Sequence, residues 1–152
     1  MPGVTKEMKG IVLAILLLLC WVAAAQAKMV SIVGDVVNMR SGPGSNFEVL
    51  WELGQGYPLQ VIDRQGEWLK VTDYEGDTGW VRKDQVGEKA YLVVKTKIAN
   101  IRSGPGENYR LIRQAQQGVV FRALAKKDDW VQIRYEEEDV TGWVQRSLLW
   151  GW

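Results

Sequence analysis

The chain has 152 residues with 19 basic and 18 acidic side chains, no histidine and one cysteine, Cys20. A net charge of +1 supplies little of the phosphate neutralisation that drives nucleic-acid binding, so we expect no nucleic-acid partner. General acid–base and nucleophilic catalysis most often use histidine or cysteine, and zinc sites use the same side chains. We therefore expect a protein that is not an enzyme and that holds no metal and no cofactor.

The first 27 residues have the features of a cleavable signal peptide. Lys6 and Lys9 precede an apolar run at 11–25, and Ala-Gln-Ala at its end supplies the small residues that cleavage needs. The run is shorter than the roughly 20 residues of a membrane-spanning helix. We predict removal of residues 1–27 and export to a periplasmic or extracellular location, with no membrane attachment after cleavage. Two alternatives stay open, an uncleaved anchor and a lipid-modified Cys20.

The remaining chain contains one unit twice. The heptapeptide NMRSGPG at 38–44 returns as NIRSGPG at 100–106, 62 positions later. In each copy a tryptophan follows, Trp68 or Trp130, and then the sequence TGWV. Proline fixes its own φ angle, and glycine adopts φ angles that other residues avoid. Ser-Gly-Pro-Gly therefore predicts a rigid, exposed loop. A repeat of this length predicts two similar domains, which we place at 28–87 and 90–152.

Alternation of apolar and polar residues, broken by glycine-containing turns, predicts strands throughout both units. We find no sustained helical period, so the predicted class is all-β. The first unit has predicted strands at 30–37, 47–53, 57–61, 68–71 and 79–82 and one closing helical turn at 83–86. The second unit has them at 91–98, 109–112 and 119–125 and around Trp130 and Trp143, with a closing turn at 147–149 and a short aromatic end at 150–152.

The order of these pieces, found twice, resembles the bacterial SH3-like domain (SH3b), and the resemblance covers residue 29 to the C-terminus. It implies two small five-stranded β-barrels in tandem. It also implies modules that recognise cell-wall peptidoglycan, through its peptide stem or cross-bridge, usually as the targeting part of a wall hydrolase. We expect no attached hydrolase here, and therefore a non-catalytic exported protein. The alternative is an adaptor or assembly factor that binds another envelope or secreted protein. We expect a monomer in either case.

Strict alternation places one face of each predicted hairpin outward. With Leu69 and Val71 on the core face, Trp68 and Lys70 point to solvent. A symmetric hairpin register then sets Trp80 opposite Lys70. The same register sets Trp68 opposite Arg82, Trp143 opposite Gln132 and Trp130 opposite Gln145.

Outward tryptophans on a polar face predict a ligand-binding surface. The resemblance implies that Trp68 and Trp130 open the ligand groove, beside the Ser-Gly-Pro-Gly loop. An alternative is that they cover the open end of the barrel, stabilised by cation–π contacts with Lys70 and Arg82. Two roles stay open for the arginine of each heptapeptide as well. Its guanidinium could bind a ligand carboxylate, or it could brace the loop. The predicted ligand-binding residues are Arg40, Asn46, Phe47, Trp68 and Trp80 in the first copy and Arg102, Asn108, Tyr109, Trp130 and Trp143 in the second.

Charge is divided unevenly between the copies. Residues 28–88 carry six basic and ten acidic side chains, a net of −4, and residues 89–152 carry eleven and seven, a net of +4. Three interpretations stay open, namely drift after duplication, attraction between the copies, and separate ligands. The acidic pair at 128–129 and the four acidic residues at 136–139 lie in predicted turns, where solvated carboxylates are ordinary.

Overall fold

The computed structural model describes residues 27–152. The predicted signal peptide, apart from its last residue, and Cys20 lie outside these residues. Over the described range, no helix combines the length and the apolar character needed to cross a membrane. The fold is all-β, as predicted, with two antiparallel sheets of seven strands, one from each copy of the repeat.

The first copy forms a sheet in the order β3-β2-β6-β5-β4-β1-β7. A short 3-10 turn, Lys83–Gln85, precedes the last strand and confirms the predicted closing turn. The strands are β1 Lys28–Ile32, β2 Val36–Arg40, β3 Val49–Gly54, β4 Pro58–Gln65, β5 Trp68–Thr72, β6 Thr78–Arg82 and β7 Val86–Gly87.

The second copy repeats this topology in the order β10-β9-β13-β12-β11-β8-β14. Two 3-10 turns, Glu136–Glu138 and Arg146–Leu148, lie at the hairpin and before the last strand. The strands are β8 Tyr91–Val94, β9 Ile98–Arg102, β10 Leu111–Gln116, β11 Val120–Lys127, β12 Trp130–Tyr135, β13 Val140–Gln145 and β14 Leu149–Gly151.

The first predicted strand of each copy is two strands in the structure. β1 pairs with β4 and β7, whereas β2 pairs with β3 and β6. The chain bends at residues 33–35 between them, so one apolar segment serves two parts of the sheet. Alternation did not show the bend because apolar residues continue on both sides of it. This division, with the short last strand, accounts for seven strands where five were expected.

Each copy has its own hydrophobic core. The residues predicted to face inward from the hairpins, Leu69, Val71 and Val81 in the first copy, are buried, and so are Val131, Ile133 and Val144 in the second. Burying one such side chain is worth about 1.5–3 kcal/mol. The predicted inner face of the hairpins is therefore confirmed, and the outer face follows from it.

The glycine of each TGWV sequence lets two strands approach closely. A Cβ atom on Gly79 would lie 2.5 Å from Cγ of Met39 and 3.0 Å from the carbonyl oxygen of Arg40. On Gly142 it would lie 2.5 Å from Cγ2 of Ile101 and 2.8 Å from the carbonyl oxygen of Arg102. A larger residue would push β6 from β2, or β13 from β9. The close approach brings the next residue of the motif, tryptophan, beside the arginine of the heptapeptide.

Candidate ligand-binding site

The hairpin register is the predicted one in both copies. Trp68 pairs with Arg82 and Lys70 with Trp80, across β5 and β6. In the second copy Trp130 pairs with Gln145 and Gln132 with Trp143, across β12 and β13. These residues alternate with buried ones, so they lie on the solvent side of the sheet. We call this side the outer face of each copy.

Strand pairing extends the outer face across two further strands. Trp80 pairs with Arg40 on β2, and Arg40 pairs with Val49 on β3. Neighbouring strands lie about 4.8 Å apart, so the four side chains of this row fit within about 15 Å. The row reads Lys70, Trp80, Arg40 and Val49 in the first copy and Gln132, Trp143, Arg102 and Leu111 in the second.

The two outward tryptophans of a copy have different neighbours. Trp80 lies between Lys70 and Arg40, neither of which has a carboxylate partner among residues 27–152. Trp68 lies on β5, one strand further from the heptapeptide, and its neighbour Arg82 is ion-paired with Asp84 at 2.7 Å. The structure thus groups Trp80, rather than Trp68, with the heptapeptide arginine. All four hairpin tryptophans are half-buried.

The cation–π contacts expected on the outer face are not the ones the structure shows. In the described part of the chain such contacts join Lys89 to Tyr91 and Lys126 to Trp152. The ammonium of Lys70 does not lie over the ring of Trp80 at that range. A cation that is not engaged by a neighbouring ring is free to meet an anionic ligand group.

The heptapeptide arginines brace their loops. Nη1 of Arg40 donates to the carbonyl oxygen of Phe47 at 2.9 Å, and Nη1 of Arg102 donates to that of Tyr109 at 3.1 Å. The bracing interpretation is therefore confirmed. A guanidinium carries five N–H donors in a planar fork, so bracing still leaves donors for a ligand carboxylate.

An aromatic ring covers the Ser-Gly-Pro-Gly loop in each copy. A Cβ atom on Gly42 would lie 2.3 Å from Cδ1 of Phe47, and one on Gly104 would lie 2.3 Å from Cδ1 of Tyr109. Only glycine leaves room for the ring there. Phe47 is nevertheless 41% exposed and Tyr109 50% exposed, so each ring rests on the loop and also presents apolar surface to solvent. Asn46 and Asn108 precede these rings and are exposed.

Two features of the first copy were missed by sequence reasoning. Trp51 on β3 is 53% exposed, and the second copy has Arg113 at this position, ion-paired with Glu138 at 2.6 Å. The sequence signal for Trp51 was a large apolar residue on a strand with charged neighbours. The other feature is a carboxylate group, Asp73, Glu75 and Asp77, whose oxygens lie within 4.8 Å of one another.

Asp73 has a structural task in that group. Its Oδ1 accepts the backbone N–H groups of Glu75 and Asp77, each at 2.9 Å, which closes the hairpin turn. Its Oδ2 accepts the hydroxyl of Tyr57 at 3.3 Å. Burial and then the Asp73 carboxylate hold the pKa of Tyr57 well above its usual range. These contacts give the Asp73 carboxylate a structural role in closing the turn.

The sequence and this architecture together define the family. The profile of the bacterial SH3 domain matches residues 33–88 and 95–151. The chain belongs to the bacterial SH3 domain family and contains two such domains in tandem, as the repeat and its resemblance implied. We refer to the two copies as the first and second domains below.

Curated relatives of the chain carry the names of amidases. The chain is 31% identical over 139 residues to a protein of Bacillus subtilis (strain 168) with the provisional name N-acetylmuramoyl-L-alanine amidase YrvJ, a match that covers 84% of this chain and 26% of the relative. It is 34% identical over 44 residues to a protein of Staphylococcus epidermidis provisionally named cell wall amidase LytH, covering 28% of this chain and 15% of the relative. The chain thus spans about a quarter or less of these relatives.

Two solved structures show some likeness to the chain. NlpC2 from Trichomonas vaginalis matches at 18% identity and a TM-score of 0.36, over 82% of this chain and 48% of that one. An NlpC/P60 family protein from Bacillus cereus matches at 12% identity and a TM-score of 0.38, over 80% of this chain and 55% of that one. These TM-scores are too low to carry an argument.

The prediction that the protein is not an enzyme is wrong, because the curated relatives carry the names of amidases. The prediction relied on the absence of histidine and cysteine from the two domains. The two domains correspond to 26% of the length of the Bacillus subtilis relative. The catalytic groups of an amidase need not lie in that quarter, so the absence of histidine and cysteine there does not exclude an enzyme. The description of the protein as non-catalytic is corrected with it.

Proposed function

We propose that the outer faces of the two domains bind cell-wall peptidoglycan through its peptide stem or cross-bridge. The observation that carries the proposal is the row across four strands that both domains share, with a tryptophan beside an arginine and a ring-covered loop at the end of the arginine's strand. The proposed ligand-binding residues are those predicted from the sequence, with Trp80 and Trp143 now at the centre.

The chemistry of the row suits an extended peptide with a carboxylate. Tryptophan offers a large apolar surface with few torsions to fix, which is why it dominates binding hot spots. Arg40 and Arg102 offer planar N–H donors to a carboxylate. Phe47 and Tyr109 continue the apolar surface along the loop. A peptide backbone lying across the strands would meet these groups in succession.

Two such sites on one chain favour a polymeric ligand. Peptidoglycan repeats its peptides along the wall, so a second domain binds at the high effective concentration set by the first. The amidase names of the relatives support the wall as the place of binding. The predicted signal peptide supports an exported protein, which binding to the wall requires.

Binding to purified sacculi tests this function. Sacculi stripped of protein by detergent and protease should retain the protein, because the ligand is peptidoglycan itself. Retention by untreated envelopes together with loss on the stripped sacculi would contradict the proposal and favour the adaptor, whose partner is an envelope protein.

A matched pair of variants locates the binding surface. Trp143→Ala removes an indole from the row of the second domain, and Val144→Ala removes two methyl groups from the adjacent core position. We expect Trp143→Ala to weaken retention on sacculi and Val144→Ala to lower stability while the folded fraction still binds. The reverse pattern would place the ligand elsewhere.

A further inference from the structure

A cleft of about 710 Å³ lies between the two domains. Equivalent turns of the repeat line it, residues 54–57 of the first domain and 116–119 of the second, and its volume is typical of small-ligand pockets. The outer-face rows take no part in it. Its other lining residues are Asp35, Tyr91, Val120, Arg122, Tyr135, Glu136 and Glu137.

Apolar and backbone contacts hold the domains around the cleft. The ring of Tyr91 packs on the turn at Gly56, where a Cβ atom would lie 2.7 Å from Cδ1 of the ring. Ser31 Oγ donates to the carbonyl oxygen of Lys89 at 2.9 Å. Each of the five ion pairs in the described residues lies within one domain. The cleft is therefore a built feature of the domain pair.

The cleft is acidic although the second domain carries a net positive charge. Three carboxylates and one guanidinium line it, a net of −2. The guanidinium, Arg122, lies 4.0 Å from Glu136. Asp35 and Glu137 have no cationic partner among residues 27–152. Two negative charges thus face the same space without compensation.

Tyrosine hydroxyls orient the glutamates at one wall. Tyr91 donates to Oε2 of Glu136 at 3.5 Å, and Tyr135 donates to Oε2 of Glu137 at 3.4 Å. Burial raises the pKa of both hydroxyls, and the neighbouring glutamates raise it further, so both remain donors at neutral pH. The ring of Tyr135 is held edge-on against Phe121 with centroids 5.5 Å apart.

We propose that this cleft is a second ligand site, separate from the outer faces, and that it binds a primary ammonium group. Oriented carboxylates supply the counter-charge and the oxygens that accept charge-assisted hydrogen bonds from the three N–H donors of an ammonium. Aromatic rings beside them add cation–π attraction. The side chains of Gln55, Gln116 and Gln117 offer amide groups to the chain that carries the ammonium.

The ammonium has two sources, a free amine on a wall peptide or a soluble diamine. Only the first depends on the proposed function. Titration of the protein with 1,5-diaminopentane, followed by NMR, tests the cleft without the wall. We expect shifts at the amides of Gln117, Gly118 and Glu137, and unshifted indole signals of Trp80 and Trp143. No shift in the cleft would overturn the proposal.

Two charge-removing variants make this titration specific. Glu137→Gln keeps the size of a side chain that lines the cleft, and we expect it to weaken diamine binding at least about tenfold, because hydrogen bonds to charged groups are the stronger ones. Asp128→Asn removes a carboxylate from an exposed turn of the same domain, at a left-handed backbone position that asparagine tolerates. It should bind as the unaltered protein does. If both variants weaken diamine binding equally, the net charge of the protein explains the loss, and the proposal of a site in the cleft is overturned.

Sacculi before and after N-acetylation of their free amines distinguish the sources. Weaker retention after acetylation, with no further loss from Glu137→Gln, supports the wall amine. Retention that is unchanged by acetylation, with cleft shifts still given by the diamine, overturns the wall source and leaves the soluble diamine. Failure of the unaltered protein to bind native sacculi would overturn the proposed function, and the diamine titration would still decide the cleft.

Discussion

The two domains share the same core architecture and the tryptophan–arginine pair of the outer-face row, and they differ in the residues that pair with the hairpin tryptophans. In the first domain, whose net charge is −4, the flanking outer-face residues are Lys70 and Arg82. In the second, whose net charge is +4, they are Gln132 and Gln145. At these two positions the acidic domain has basic residues and the basic domain has neutral ones, although Arg82 is already ion-paired with Asp84. The net charge of a domain therefore does not predict the charge at these outer-face positions.

The same comparison bears on attraction between the domains. Opposite net charges suggested an electrostatic contact, yet the contacts that join the domains include a tyrosine ring on a glycine turn and a hydrogen bond to a backbone carbonyl. Charged side chains pair within their own domains. Long-range attraction between exposed charges is screened beyond about 8 Å at physiological salt, so the domain contact rests mainly on packing.

The largest expected effect is on the core of one domain. Phe121 is fully buried in the second domain, and Leu59 has its place in the first. Phe121→Ala should cost about 3–5 kcal/mol of the free energy of unfolding. Denaturant unfolding followed by methyl signals of Val131 and Val71 separates the domains. We expect the Val131 signal to report the loss. Equal loss at Val71 would contradict independent cores.

The next effect separates the two faces of one strand. Trp130 is half-buried on the outer face, and Val131 is 1% exposed on the core face. Trp130→Ala should cost at least about 2 kcal/mol of wall binding, the loss that defines a binding hot spot, with a smaller loss of stability. Val131→Ala should lower the free energy of unfolding by about 1.5 kcal/mol, from two lost methyl groups. If Trp130→Ala unfolds the domain and Val131→Ala does not, the assignment of the outer and core faces is reversed.

A smaller effect tests the loop brace. Arg40→Lys keeps the charge but loses the guanidinium that donates to the carbonyl oxygen of Phe47. We expect a loss of about 1 kcal/mol, the usual worth of such a hydrogen bond, localised at the loop. Amide exchange of Ser41, whose N–H donates to Glu48 at 2.9 Å, should become faster. Unchanged exchange in this variant would show that the brace is dispensable.

The smallest effect is expected from exchanging the residues that pair with Trp80 and Trp143. Lys70→Gln gives the first domain the flank of the second, and Gln132→Lys does the opposite. Each change should alter binding by less than about 1 kcal/mol, since exposed ion pairs are weak. Binding to sacculi at low and high salt should show a weaker salt dependence for the first variant and a stronger one for the second. Identical salt dependence in both variants and in the unaltered protein would show that residues 70 and 132 do not contact the ligand.

Local patterns in the sequence predicted the strands, the inner faces and the hairpin registers, because alternation and short turns determine these directly. They did not predict which tryptophan lies beside Arg40. That depends on β2 pairing with β6, two strands about 40 residues apart, and on the room that Gly79 leaves. The ring of Phe47 on Gly42 and the cleft between the domains are also products of packing between distant segments. The bend between β1 and β2 was missed because apolar residues continue on both sides of Gly34 and Asp35.

Binding of the double variant Trp80→Ala with Trp143→Ala to purified sacculi tests the central claim most directly. The matched control is Trp51→Ala, which removes an indole that is 53% exposed but lies outside the row. Each lost hot spot should cost at least about 2 kcal/mol, and loss of both removes the gain from tandem binding. We predict that the folded double variant fails to bind while the control is retained. Retention of the folded double variant at the affinity of the unaltered protein would contradict the account.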